Sequence, residues 1–247
     1  MKNSTLILIF LAFVSTSYCQ SVVPNNIRAT NTLERLFDLG GLDNADMLYG
    51  IPLPEGKVIG DTYLDTRWKN ATILLYEKEK LLEGYPVRYD IYLDELEIKA
   101  KNGIKVLKGN KIKSFVWVDS LSKAPTYFMN AKEFKNEDNV RLIGFFQVLT
   151  DGSLPLFKKT TVEVKKADYN VQFNVGSRDD KILKKQDFYL VKAAQVIEIP
   201  AAKKKLVPLF GEKSDEMEKY MKENALTTTK EDHLKLIFGH YNSLVNN

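Results

Sequence analysis

The chain has 247 residues, of which 44% are hydrophobic and 28% are charged, and its formal net charge is +4. This balance is typical of a globular protein and excludes extensive intrinsic disorder. Positive and negative side chains are interspersed instead of forming a basic stripe, so the composition argues against nucleic-acid binding.

The first residues predict an export signal. Lys2 precedes an apolar run at residues 5–14, and the small residues Ser17 and Cys19 follow. This order is typical of a secretory signal peptide at residues 1–19. The run is shorter than the ~20 residues that span a bilayer. With no later apolar segment of that length, no transmembrane segment is expected after signal removal.

Cys19 is the single cysteine of the chain. If it leaves with the signal, the mature protein has no disulfide, no thiol nucleophile and no thiolate metal site. The alternative is a lipid on Cys19, although the bulky Tyr18 precedes it where such sites favour a small residue. Either route predicts an exported protein of the periplasm, the outer envelope or the extracellular space.

Residues 20–60 are interpreted as a lead-in to a single β-rich domain at residues 61–247. Leu33, Leu36 and Phe37 have helical spacing after a capping residue, which predicts a short helix. The stretch at residues 40–56 is rich in glycine, proline and Asx residues, which is typical of a loop.

Apolar and polar residues then alternate with a period of two, interrupted by turn signals, and this pattern predicts short antiparallel strands. Asp151 and Gly152 predict a hairpin, because both accept positive φ. The expected strands are residues 62–68, 71–76, 87–93, 96–100, 104–107, 112–118, 127–134, 141–149, 154–157, 161–164, 171–175, 187–192 and 196–199.

The stretch VRYDIYLDELEIKA at residues 87–100 changes phase in mid-run. Tyr89 belongs to the first alternating set and Leu96 to the second, and Asp94 and Glu95 lie between them. A one-residue shift turns every later side chain over. The run is therefore expected to contain a bulge or a tight corner that returns the second segment to the same core. We expect the sheet to bend there towards a barrel or a deep half-barrel.

The C-terminal part predicts two helices. Ser214 is a candidate cap for the first, which should end near Asn224. The second should begin at Thr229, and its apolar residues form one stripe that docks on the sheet: Leu234, Ile237, Phe238, Tyr241, Leu244 and Val245. The predicted fold is α+β and mainly β: an antiparallel meander forming a curved sheet or a partly closed barrel, with a short N-terminal helix and two C-terminal helices.

The sequence contains no catalytic motif that singles out a residue. His233 and His240 are two helical turns apart, ~10 Å along the axis, and are expected to be edge residues of the last helix. No zinc spacing, serine-nucleophile motif or phosphate loop occurs. The sequence therefore predicts no catalytic, cofactor-binding or metal-binding residue and no cofactor, although two carboxylates of a glycosidase need only meet in space.

Three weaker alternatives remain open. An acidic cluster could bind calcium, but plain turns have the same composition; it consists of Asp38, Asp43, Asn44 and Asp46. Residues 203–205 are three lysines that form either a solvated turn or a contact with anionic lipid headgroups. The strand aromatics mostly predict core, and some could line a groove for an apolar or sugar ligand.

Several segments together resemble a family of uncharacterised exported proteins of Bacteroidota-type bacteria. They are YLDTRWKNATILLYE, RYDIYLDELEIK, IKSF, GFFQVLTDGSLPLFKK, DFYLVK and the closing HYNSL. The resemblance implies a periplasmic or outer-envelope location. It supplies no activity and no catalytic residue.

The leading functional hypothesis is a non-catalytic envelope protein that binds another protein or a surface polymer. The alternative is a carrier of an apolar ligand, which predicts an apolar cavity of ~300 Å³ or more between the sheet and the last helix. A glycan hydrolase is a third hypothesis and requires two carboxylates roughly 5–10 Å apart in an open groove.

Overall fold

A computed structural model describes residues 56–119, 124–170 and 173–245. The predicted signal peptide, the N-terminal helix and most of the lead-in lie outside these residues. In these ranges, eleven strands form a single sheet: β1 (Val58–Ile59), β2 (Lys69–Leu75), β3 (Leu81–Asp90), β4 (Glu95–Ala100), β5 (Gly103–Lys108), β6 (Ile112–Val118), β7 (Pro125–Asn130), β8 (Phe145–Thr150), β9 (Leu156–Lys165), β10 (Asp180–Lys192) and β11 (Gln195–Glu198).

The strand order is β1-β10-β9-β8-β7-β6-β2-β3-β4-β5, and β11 also pairs with β10. The chain runs outward from β2 to β5 and returns to place β6 beside β2. All pairings are antiparallel except that of β1 with β10, which is parallel. The predicted α+β, mainly β class is confirmed, with a sheet that is mixed and open at its edges. Residues Glu55–Asn247 form one compact unit.

Strong curvature gives the sheet an inner and an outer face. Tyr89 on β3 and Phe145 on β8 are separated by three intervening strands, which on a flat sheet would place them ~19 Å apart. Their ring centroids lie 5.2 Å apart, edge to face. The inner face therefore encloses an aromatic core, whose other rings are Phe115, Trp117 and Phe128.

The phase change at residues 87–100 is a hairpin turn. β3 ends at Asp90, residues 91–94 form the turn, and Tyr89 lies directly opposite Leu96. Both side chains are buried in the inner core. The expectation of a tight corner that returns the second segment to the same core is confirmed. The strand predicted to continue to residue 93 is wrong, because the chain reverses instead of bending.

In the described part of the chain, three helices cover the inner face near β9 and β10. They are α1 (Lys203–Leu206), α2 (Ser214–Glu223) and α3 (Glu231–Val245), with a 3-10 segment at Val207–Lys213 between the first two. Their buried residues pack on Leu154, Leu156 and Leu190. The helical members of this layer include Leu206, Phe210, Met217, Met221, Leu234, Ile237 and Phe238.

The predicted helix stripe is confirmed for Leu234, Ile237 and Phe238, which are buried, whereas Val245 is exposed. The expected cap is wrong. The Ser214 hydroxyl donates to the carbonyl oxygens of Val207 and Gly211, at 2.9 and 2.6 Å, so it closes the preceding turn and accepts no helical N–H.

A smaller core lies on the outer face. After β7 the chain makes a 3-10 turn at Ala131–Glu133, which places Phe134 over Phe146 and Phe157 with ring centroids 5.8 and 5.3 Å away. Val191 and Val196 complete this cluster. β8 thus contributes apolar side chains to both faces, with Phe145 in the inner core and Phe146 in the outer one.

Several strand predictions need correction. Residues 62–68 do not form a strand, although Tyr63 makes an isolated bridge to Asp90. In the predicted strand at residues 171–175, the described Phe173–Val175 part lies in a turn, closed by a bridge between Asn170 and Val175. β9 and β10 are much longer than expected, because lysines replace the apolar half of the alternation.

Candidate functional site

An apolar groove of about 790 Å³ lies on the outer face of the central strands. We call this space the outer groove. Its floor is formed by β6, β7 and β8, where Val116 lies opposite Tyr127, and Tyr127 lies opposite Val148. Opposed residues in a ladder share one face, so these side chains form a continuous apolar row.

The floor of the outer groove is exposed to solvent. Tyr127 retains 52% of its accessible surface and Met129 retains 37%. The solvated face of an antiparallel sheet is normally polar. Contiguous apolar exposure of this kind marks an interaction site more often than isolated surface residues do.

The wall of the outer groove comes from the outer-face core. Phe134, Phe157 and Val191 line one side, and Pro155 with Asp151 closes the end at the β8–β9 turn. Apart from the tyrosine hydroxyl, the lining contains two polar side chains, Ser114 and Asp151. The groove is half-open, so it can receive apolar groups from a larger body that remains outside it.

A second space, the rim cleft, lies between the β3–β4 turn and the middle of β9. Its volume is about 220 Å³. The turn contributes Ile91, Tyr92 and Asp94, and the chain before β8 contributes Ile143 and Gly144. From β9 come Lys159, Thr160, Thr161 and Val162.

The charged residues that line the rim cleft are Asp94 and Lys159. The Tyr89 hydroxyl donates to Asp94 Oδ1 at 2.8 Å. Burial lowers the pKa of Lys159, although the negative charges of Asp94 and Asp187 act in the opposite direction. Burial also raises the pKa of Tyr89, and the charge of Asp94 adds to that effect, so the tyrosine stays neutral.

The space beneath the last helix is filled. Phe210 and Phe238 contact each other there with ring centroids 5.7 Å apart, and Leu156 and Ile237 are fully buried. Among the described residues, packed side chains occupy the region between the sheet and α3 where the carrier hypothesis expects a cavity. The outer groove lies on the opposite face of the sheet.

The two histidines are partly buried residues of α3, as expected. His233 Nδ1 accepts a hydrogen bond from the Thr227 backbone N–H at 3.0 Å, and the His240 ring stacks on Tyr220 at 3.8 Å between centroids. The three lysines at residues 203–205 lie in α1, which replaces the expected turn.

Neither space shows the carboxylate pair that a glycosidase requires. Asp151 is the one carboxylate among the residues that line the outer groove, and Asp94 is the one in the rim cleft. Within the described ranges, no group of three or more His, Cys, Asp or Glu side chains could hold a metal ion. The candidate calcium cluster at Asp38–Asp46 lies outside those ranges.

In the part of the chain that the structure describes, no helix has the length and apolarity to cross a membrane. Comparison of the chain with protein-family models, with curated proteins and with solved structures gives no significant match.

Proposed function

We propose that this protein is a non-catalytic binding module that holds apolar side chains of a partner protein in the outer groove. The observation that carries this proposal is the apolar row of Val116, Tyr127, Met129 and Val148, in which Tyr127 and Met129 are exposed, on strands whose outer face should be polar. Burying such a row gains roughly 25 cal/mol per Å² of apolar surface.

The shape of the groove favours a partner chain over a small molecule. Small-molecule sites commonly bury 70–90% of their ligand, whereas a half-open groove leaves one side of its occupant in water. An extended partner segment can insert alternate side chains and keep its backbone outside, since side chains at i and i+2 of a strand point the same way.

A carrier of an apolar ligand is the second candidate. The volume of about 790 Å³ falls within the usual range of ligand sites, and few polar groups line it. Native mass spectrometry of protein purified from its own host distinguishes the two functions. A copurified apolar molecule supports carriage, and protein free of such a molecule supports the partner-binding function.

The outer groove can be tested with an apolar dye such as anilinonaphthalene sulfonate. We expect wild-type protein to bind it at one saturable site and the Met129→Glu variant to bind it at least ~10-fold more weakly, a loss of about 1.4 kcal/mol. The control is Val106→Glu, since Val106 is a 56% exposed strand residue remote in sheet order. Equal dye binding by wild-type and Met129→Glu protein would refute the proposal that the outer groove binds apolar groups.

We also propose that the protein works in the periplasm or outer envelope, which the signal-like residues 1–19 and the resemblance to exported proteins support. In a Gram-negative host, the protein should leave the cytoplasm and begin at Gln20, as intact mass measurement can determine. An intact Met1 form confined to the cytoplasm contradicts export. A membrane-bound form that Cys19→Ser abolishes indicates lipidation instead of plain cleavage.

A further inference from the structure

Lys159 differs from the lysines around it. Lys158 pairs with Glu231 at 2.9 Å, Lys165 with Asp168 at 3.4 Å, and Lys166 with Asp180 at 2.8 Å. Lys159 is half-buried, yet within the described ranges its ammonium makes neither a hydrogen bond nor an ion pair and contacts only the Phe146 ring. A buried charge without a partner is unfavourable, so an anionic group that reaches Lys159 would gain a strong contact.

Its nearest strand neighbours do not supply that anion. Asp187 lies opposite Lys159 on β10, but its carboxylate pairs with Lys185 at 3.0 Å. On the other side, Lys159 lies opposite Phe146, whose ring centroid is 5.8 Å from the ammonium. The side chain is therefore held between an aromatic ring and a carboxylate that already has a cation.

Asp94 supplies the opposite charge of the rim cleft, and its position is fixed. The turn holds it at φ +52°, its carbonyl accepts the Gly109 N–H at 2.8 Å, and Tyr89 donates to its Oδ1. Gly109 also lies against the carboxylate, since a Cβ there would overlap Oδ1 of Asp94. Asp94 is thus a preorganised acceptor that a ligand cation can reach.

Apart from Thr160 and Thr161, the remaining lining side chains of the rim cleft are largely apolar. Ile91, Tyr92 and Ile143 surround the cleft, and Tyr92 and Ile143 are largely exposed. At about 220 Å³ the cleft is smaller than a drug-sized site. The complementary ligand is therefore small and carries a cation, an anion and an apolar group.

We propose that the rim cleft binds a free α-amino acid with an apolar side chain. Its carboxylate pairs with Lys159, its ammonium with Asp94, and its side chain packs on Ile91, Tyr92 and Ile143. This site is separate from the outer groove, and the proposal stands without the proposed function.

Isothermal titration calorimetry of the whole protein tests the site with three probes of similar shape: L-leucine, 4-methylpentanoate and 3-methylbutylamine. We expect leucine to bind at one site and both singly charged analogues to bind at least ~10-fold more weakly. If 4-methylpentanoate binds as tightly as leucine, Asp94 has no role and the proposal is overturned. It is also overturned if none of the three binds.

Two substitutions locate the binding. Lys159→Met and Asp94→Asn should each weaken leucine binding at least ~10-fold, and asparagine tolerates the positive φ of residue 94. Lys165→Met on the same strand is the matched control and should bind leucine normally. Thermal melting checks folding: Lys159→Met should melt no lower than wild type, because it removes an unpaired cation. Unchanged leucine binding by either site variant contradicts the proposal.

Discussion

Replacing Phe115 by alanine is expected to destabilise the fold by about 4 kcal/mol, since deleting a buried phenylalanine ring costs the transfer of its atoms and leaves a cavity. Phe115 is fully buried at the centre of the inner core. Its ring stacks on Phe128 at 4.5 Å and contacts Phe145 edge to face at 5.0 Å. The loss therefore affects β6, β7 and β8 together.

Urea unfolding followed by circular dichroism measures this effect. Phe115→Leu fills part of the cavity and should cost clearly less than the alanine variant. The control is Phe173→Ala, because Phe173 is 72% exposed, and its loss should remain within ~0.5 kcal/mol. A Phe115→Ala protein as stable as the Phe173→Ala protein would show that the inner core is not packed as described.

Replacing Asn242 by leucine is expected to cost about 2–4 kcal/mol, because it leaves buried backbone groups without partners. Asn242 Oδ1 accepts the Leu154 N–H at 2.8 Å, and Nδ2 donates to the carbonyl oxygens of Leu154 and Asp151 at 3.2 and 3.1 Å. One side chain of α3 thus supplies hydrogen-bond partners for three backbone groups of the β8–β9 turn. Leucine has a similar volume but no hydrogen-bonding atom.

Thermal and urea unfolding measure this loss as well. Ser243→Ala, at the exposed neighbouring position, is the control and should change stability by less than ~0.5 kcal/mol. Gly152→Ala should also destabilise the turn, since its Cβ would lie 2.7 Å from Asn242 Cγ at a φ of +132°. The variant that combines Asn242→Leu with Gly152→Ala should lose less stability than the sum of the two single losses, because both changes disturb the same contact. Full additivity would contradict this arrangement.

Sequence alternation predicts the strands in which apolar residues recur at every second position. β4, β5 and β6 lie close to their expected positions, and Asp151 and Gly152 do mark the β8–β9 connection, which extends over five residues. Alternation fails where lysines occupy a strand, as in Lys158, Lys159, Lys184 and Lys185. Those residues are held in β9 and β10 by ten consecutive register pairs, a long-range effect that no local pattern contains.

The outer groove left a weak signal in the sequence. In β7, Tyr127 and Met129 alternate with Phe128 and Asn130, so the apolar residues fall on both faces. The sequence does not show which face of β7 stays exposed to solvent. That is decided by the position of Phe134 after the 3-10 turn, where it packs against β8 and β9. The rim cleft left no signal, because Asp94 and Lys159 belong to segments that only the curvature brings together.

The position of α3 at the end of the described chain has a consequence for biosynthesis. Leu154 and Leu156 emerge from the ribosome ~75 residues before the helix that shields them, and Asn242 bonds a turn 88 positions upstream. At a synthesis rate of ~5–20 residues per second, the apolar surface around Leu154 and Leu156 stays exposed for several seconds before α3 is made. A nascent chain halted before Glu231 would therefore carry all eleven described strands but expose the apolar surface of Leu154, Leu156 and Leu190 to chaperones and proteases.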